Sequence, residues 1–93
     1  MIKSFADKET ELIYNQIFSR HIPNTIQKAA LRKLMMMDVS KSLEDLRSPP
    51  SNHLELLAGD RKGQYSIRIN RQWRICFTES NGYFYNVEIV DYH

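Results

Sequence analysis

From Gly63 onward the apolar residues recur at every second position, and this change of period constrains the fold more than any other feature of the chain. Over residues 64–70, Tyr65, Ile67 and Ile69 alternate with Ser66, Arg68 and Asn70. Over residues 73–79, Trp73, Ile75 and Phe77 alternate with Arg74, Cys76 and Thr78. A third run, residues 83–90, puts Tyr83, Tyr85, Val87 and Ile89 on one face. Such alternation marks strands that turn one face to a core. Asn81-Gly82, between the last two runs, is a two-residue hairpin signal because both residue types tolerate a positive φ. Three consecutive strands predict an antiparallel meander.

Upstream the period is helical. Asp7 is placed to cap a helix over residues 8–19, with Glu9 and Glu11 near its positive end and Leu12, Ile13, Ile17 and Phe18 at helical spacing. His21-Ile22-Pro23 interrupts it. Asn24 or Thr25 then caps a second helix with Ile26, Ala29, Ala30, Leu34 and Met37 as its apolar stripe. Lys28, Arg32 and Lys33 form its wet face. Met35-Met36-Met37 reads as gap-filling core. Residues 2–5 predict a short opening strand. Ser48-Pro49-Pro50-Ser51-Asn52 ends any regular element, since adjacent prolines suit neither helix nor ladder. Beyond it, Leu54, Leu56 and Leu57 are expected to pin the chain to the core. Gly59 and Gly63 bracket a second turn region. The expected class is α+β, in the order strand, helix, helix, three strands. At 93 residues the chain suits a single domain over residues 1–93.

Composition excludes several classes. A hydrophobic fraction of 42% supports a modest core and argues against global disorder. No apolar run approaches the roughly 18 residues that span a bilayer. Ser4, Asp7, Lys8 and Glu9 interrupt any signal-like opening, so a cytoplasmic location is expected. Cys76 is the single cysteine, which leaves no internal disulfide, and between Ile75 and Phe77 it reads as a buried thiol. His21, His53 and His93 are scattered, so neither a metal site nor a cofactor is expected.

The net charge of +2 matters less than where it lies. Over residues 61–77 the chain carries Arg61, Lys62, Arg68, Arg71 and Arg74 and no acid, which points to an anionic partner. Alternation places Arg68 and Arg74 on one face of adjacent strands, opposite Ile67 and Ile75. Arg71 lies in their connecting turn, Arg61 and Lys62 in the loop before them, and Asp91-Tyr92-His93 at the tip of the last strand. Arginine forks pair with phosphate oxygens, histidine moves protons near neutral pH, and aromatic rings stack on unpaired bases. Against this, arginines on an open sheet face are often merely solvated, or paired with an acid such as Glu88. Trp73 reads as a core anchor. His21 reads as a helix-end residue. The residues leave open whether His53 faces RNA or is inert, and whether His93 has any role. Pattern alone therefore ends at a small α+β domain with a basic sheet face.

The stretch Gly59-Asp60-Arg61-Lys62-Gly63-Gln64-Tyr65-Ser66-Ile67-Arg68-Ile69-Asn70, followed by Gln72-Trp73-Arg74-Ile75-Cys76-Phe77, resembles the HigB-type toxins of the RelE/ParE superfamily. The opening Met1-Ile2-Lys3-Ser4-Phe5, Leu46-Arg47-Ser48-Pro49-Pro50 and the closing residues 87–93 fit the same family, so the resemblance spans almost the whole chain. It implies a RelE/ParE-like toxin of a type II toxin–antitoxin pair that cuts messenger RNA in the ribosomal decoding site without a metal. The ribose 2′-hydroxyl attacks phosphorus and the 5′-oxygen leaves. It also implies a HigA-like helix-turn-helix antitoxin as partner, with operator DNA contacted only through that antitoxin. Carried over by position, Arg74 stabilises transition-state charge and Arg68 contacts phosphate. His93 transfers protons, Tyr92 stacks or orients, and Asp91 orients. Arg61 and Lys62 grip RNA; Arg71 and His53, which the family does not supply, are further candidate RNA contacts.

Two positions depart from the family's pattern. Glu55 and Ala58 stand where many relatives have histidine and lysine, so Glu55 is a candidate base and His53 a candidate substitute. Arg71 stands where relatives are often acidic. Two alternatives keep the fold and change the function. One is a toxin that binds DNA gyrase. The other is a catalytically weakened module acting with the antitoxin in operon autorepression.

Overall fold

The computed structural model describes residues 1–92. Asp7 caps the first helix, α1 (Lys8–Tyr14), its carboxylate accepting from the Thr10 amide at 3.2 Å. The helix stops five residues short of the expected end. Gln16 turns left-handed at φ 65°, and the chain doubles back to bury Ser19, whose hydroxyl donates to Glu9 at 2.6 Å. Ile17 and Phe18, expected on the helix's apolar face, are left exposed. The second helix, α2 (Asn24–Val39), begins without the side-chain cap expected of Asn24 or Thr25. The Gln27 amide ties its start instead, donating to the Ser19 and Ile22 carbonyls at 2.7 Å each. Ile26, Ala30, Leu34 and Met37 form its buried stripe. Lys33 does not share the wet face with Lys28 and Arg32: it is half-buried and donates to Asn52 Oδ1 at 2.6 Å.

The sheet is a four-stranded antiparallel meander: β1 (Glu55–Leu56), β2 (Tyr65–Arg68), β3 (Trp73–Ser80) and β4 (Tyr83–Asp91), in that order. The short β1 was not legible in advance; Leu54 packs partly buried against the core and Leu57 is buried, but Leu56 is exposed. Residues 2–5 do not form a continuous strand. They run parallel along the far edge of β4 through isolated bridges at Ile2–Phe84 and Phe5–Val87.

The expected face of β4 is corrected in its first half. Asn86 adopts φ 54°, and the pairing with β3 shifts by one residue between Cys76↔Glu88 and Thr78↔Tyr85. Such a bulge puts an extra residue on one strand and reverses the alternation beyond it. Phe84, not Tyr83 or Tyr85, therefore joins Val87 and Ile89 in the core.

Both helices cover one face of the sheet. Ile13, Ile22, Ile26, Ala30, Leu34 and Met37 meet Ile67, Ile75, Phe77, Phe84, Val87 and Ile89 there. Phe77 and Phe84 contact edge to face at 5.1 Å between ring centres. One polar tie fixes α1 to β4 and a second joins α1 to α2. The Ile89 amide donates to Thr10 Oγ1 at 2.9 Å, and Tyr14 donates to Asp38 at 2.7 Å. Among the described residues no helix is long and apolar enough to cross a membrane.

Candidate active site

The second sheet face carries the arginines, and it is not open. His53 and Glu55 reach onto it at Arg74, and Arg61 at Glu88; Ser66 and Cys76 are fully buried and Arg74 is 8% exposed. Burial pushes the Cys76 thiol up, opposed by the nearby Arg61 guanidinium, which fits a structural thiol rather than a nucleophile.

Arg74 is the centre of this face. Its Nε donates to Ser66 Oγ at 2.8 Å, and its Nη2 donates to the His53 carbonyl at 2.6 Å. Glu55 Oε1 lies 3.7 Å from Nη2 on a half-exposed side chain. The Tyr92 ring centre is 5.7 Å from the guanidinium carbon, within cation–π range. Among the described residues Nη1 makes no hydrogen bond. The fork is thus fixed along one edge and open along the other, the geometry for receiving a phosphate oxygen.

His53 makes this possible through its backbone. It ends the 3₁₀ turn Pro50–Asn52 in a left-handed conformation at φ 45°, which aims its carbonyl at Arg74. Asn52 holds the turn: it is fully buried, and its amide donates to the Leu46 and Ser48 carbonyls at 3.1 and 3.3 Å.

The other sequence candidates divide. Arg68 pairs directly across from Arg74, on the same face, and its Nε donates to the Asn70 carbonyl at 3.1 Å. Tyr92 reaches Arg74 as described, with its amide held by the Gln72 carbonyl at 2.6 Å. Asp91 accepts from Gln72 Nε2 at 3.1 Å on each oxygen, which ties the tip of β4 to the β2–β3 turn. Arg61 is drawn away from the solvent: it pairs with Glu88 at 3.2 Å and with Gln64 at 3.0 Å, the pairing with Glu88 that pattern reading allowed. Lys62 and Arg71 are exposed, and among the described residues their side chains make no hydrogen bond or ion pair. His93 lies outside the described residues.

Sequence reading missed Ser66, Gln72, Asn52 and Lys33. Ser66 was recoverable, since the alternation that puts Arg68 and Arg74 on one face places Ser66 beside them. Lys33 was hidden because only the folded position of Asn52 reveals its partner. Among the described residues no group of histidine, cysteine and carboxylate side chains is arranged to hold a metal ion.

Comparison with known proteins agrees with this picture. Residues 3–93 match the family described as the RelE-like toxin of type II toxin–antitoxin system HigB. Toxin HigB-1 of Vibrio cholerae is 42% identical over 84 residues, covering 88% of this chain and 87% of its own. Endoribonuclease HigB of Proteus vulgaris is 31% identical over 93 residues, covering 100% of both chains. A solved structure of the YoeB-YefM complex from Staphylococcus aureus superposes with a TM-score of 0.60 at 17% identity, covering 100% of this chain and 98% of that one, which shows a shared fold. With the family model matching residues 3–93 and these relatives covering most or all of the chain, the family is shown: the chain belongs to the HigB family of RelE-like toxins of type II toxin–antitoxin systems.

Proposed function

We propose that this toxin is an endoribonuclease that cuts translated messenger RNA at Arg74 and is neutralised by a cognate antitoxin. The observation that carries the reading is the half-fixed Arg74 fork, held by Ser66 and His53, faced by Tyr92 and set beside the half-exposed Glu55. The full-length relative from Proteus vulgaris, named an endoribonuclease, supports the same reaction.

In this reaction the ribose 2′-oxygen forms a bond to the adjacent phosphorus and the bond to the 5′-oxygen breaks. Arg74 and Arg68 neutralise the charge that builds on the non-bridging oxygens. Glu55 takes the proton from the 2′-hydroxyl, and His93 returns one to the leaving 5′-oxygen. Tyr92 stacks on a base next to the cut. The reaction needs no metal, because the guanidinium groups supply the positive charge a metal would bring. The ribosome presents the message in the extended form this face requires. The partner is a helix-turn-helix antitoxin through which the pair reaches operator DNA, and the toxin acts in the cytoplasm, where translation occurs.

Primer extension on a defined message bound to purified ribosomes tests this reading. Discrete cuts are expected in the decoding site, unchanged by EDTA added after ribosome binding at constant free magnesium, and absent without ribosomes. Growth arrest without any cut would discard the nuclease and favour a gyrase-directed toxin of the same fold.

A further inference from the structure

A basic depression lies beside the Arg74 site. Its volume is about 390 Å³, within the range of small-ligand sites. Lys33 of α2, His53 after the Pro50–Asn52 turn, and Arg68 and Arg71 at the β2–β3 turn line it, with Ser51 and Asn70 between them. Three separate parts of the chain thus bring cationic or titratable groups to one hollow, and no carboxylate lines it.

Lys33 is a built part of this hollow. Its ammonium is held at 2.6 Å by Asn52 Oδ1, a neutral acceptor that is itself buried and anchored. Burial, and then the neighbouring Arg32, pull the Lys33 amine below its ordinary range, so an incoming anion would relieve a charge held at a cost. His53 is the shared wall: its carbonyl grips Arg74, and the same residue lines the hollow. Arg68 lines the hollow too and sits across from Arg74 in the ladder, with Cα atoms roughly 5 Å apart.

Resting on the proposed nuclease reading, we propose that this depression is a second phosphate subsite, which holds the message backbone next to the phosphate cut at Arg74. It contacts phosphate rather than base, so it contributes affinity and register without sequence preference.

The test uses a short RNA with a 2′-O-methyl group at the cut position, which binds but cannot react. Lys33→Gln and Arg71→Gln are each expected to weaken its binding about tenfold and to lower the salt dependence of binding. On programmed ribosomes each should raise KM by a similar factor with kcat held. Arg71 lies on an exposed turn, so its variant reports even if Lys33→Gln disturbs the fold. If the wild-type protein cleaves while both variants bind and cleave as it does, the subsite is wrong and the nuclease reading stands. If the wild-type protein does not cleave, yet binds the RNA and loses that binding in both variants, the nuclease reading fails and the subsite stands. Co-sedimentation with vacant ribosomes separates message from ribosomal RNA. Losses confined to that arm would overturn a message subsite.

Discussion

Replacing Arg74 should damage the fold and the reaction together, and the two losses can be separated. Arg74→Ala removes the bonds from Nε to Ser66 and from Nη2 to the His53 carbonyl. Hydrogen bonds from a charged donor contribute about 1.5–3 kcal/mol each, and Ser66, fully buried, would be left without its donor. A stability loss of about 3 kcal/mol follows once non-additivity is allowed for, or roughly 10–20 °C in Tm for a chain of this size. The rate should fall independently by about a hundredfold, the usual effect of removing one donor to transition-state charge. Arg74→Lys separates the terms. A single ammonium keeps the charge but cannot bridge Ser66 and His53 while offering a third direction to phosphate. It should recover about half of the lost stability and little of the rate. Thermal unfolding by circular dichroism and single-turnover cleavage on programmed ribosomes, assayed well below the lower Tm, measure the two effects. Full-rate cleavage by Arg74→Lys would refute the role of the fork. An unchanged Tm for Arg74→Ala would refute its place in the sheet face.

Three further outcomes check the surrounding framework. Thr10→Val should cost about 1–3 kcal/mol in urea unfolding and speed hydrogen exchange at Ile89, because that buried amide loses its acceptor at 2.9 Å. Gly82→Ala should destabilise by about 2 kcal/mol, since Gly82 sits at φ 86° and an added Cβ would run into the Lys41 carbonyl. Cys76 should resist thiol reagents in the native protein, even at mildly alkaline pH, because it is buried and its thiol is pushed up. It should label fully in denaturant, and rapid native labelling would contradict its burial.

The meander was legible in the sequence because alternation is a local signal. Tyr65 to Ile69 and Trp73 to Phe77 show it on either side of the turn, and the observed ladder pairs Tyr65 with Phe77 and Arg68 with Arg74. It failed at Asn86, where one left-handed residue reverses the faces of Tyr83, Phe84 and Tyr85. No period can reveal such a bulge. The end of α1 failed for a related reason: Ile17 and Phe18 continue the apolar spacing, but the buried Ser19, Glu9 and Gln27 contacts end the helix early. In the site, the shared face of Arg68 and Arg74 followed from strand parity. The burial of Arg74 did not, since it depends on where the turn before β1 brings the His53 carbonyl and Glu55. Nor did the Arg61–Glu88 pair or the Lys33–Asn52 contact show their commitment in sequence, because each joins side chains from distant elements.

The most direct test of the account is a message carrying a single 2′-deoxynucleotide at the site this toxin cuts on the ribosome. The mechanism predicts that cleavage disappears at that position, and that the unmodified message yields an upstream fragment ending in a cyclic or opened phosphate and a downstream fragment beginning with a 5′-hydroxyl. Continued cutting at the deoxy position, or fragments bearing a 5′-phosphate, would contradict attack by the 2′-hydroxyl at Arg74.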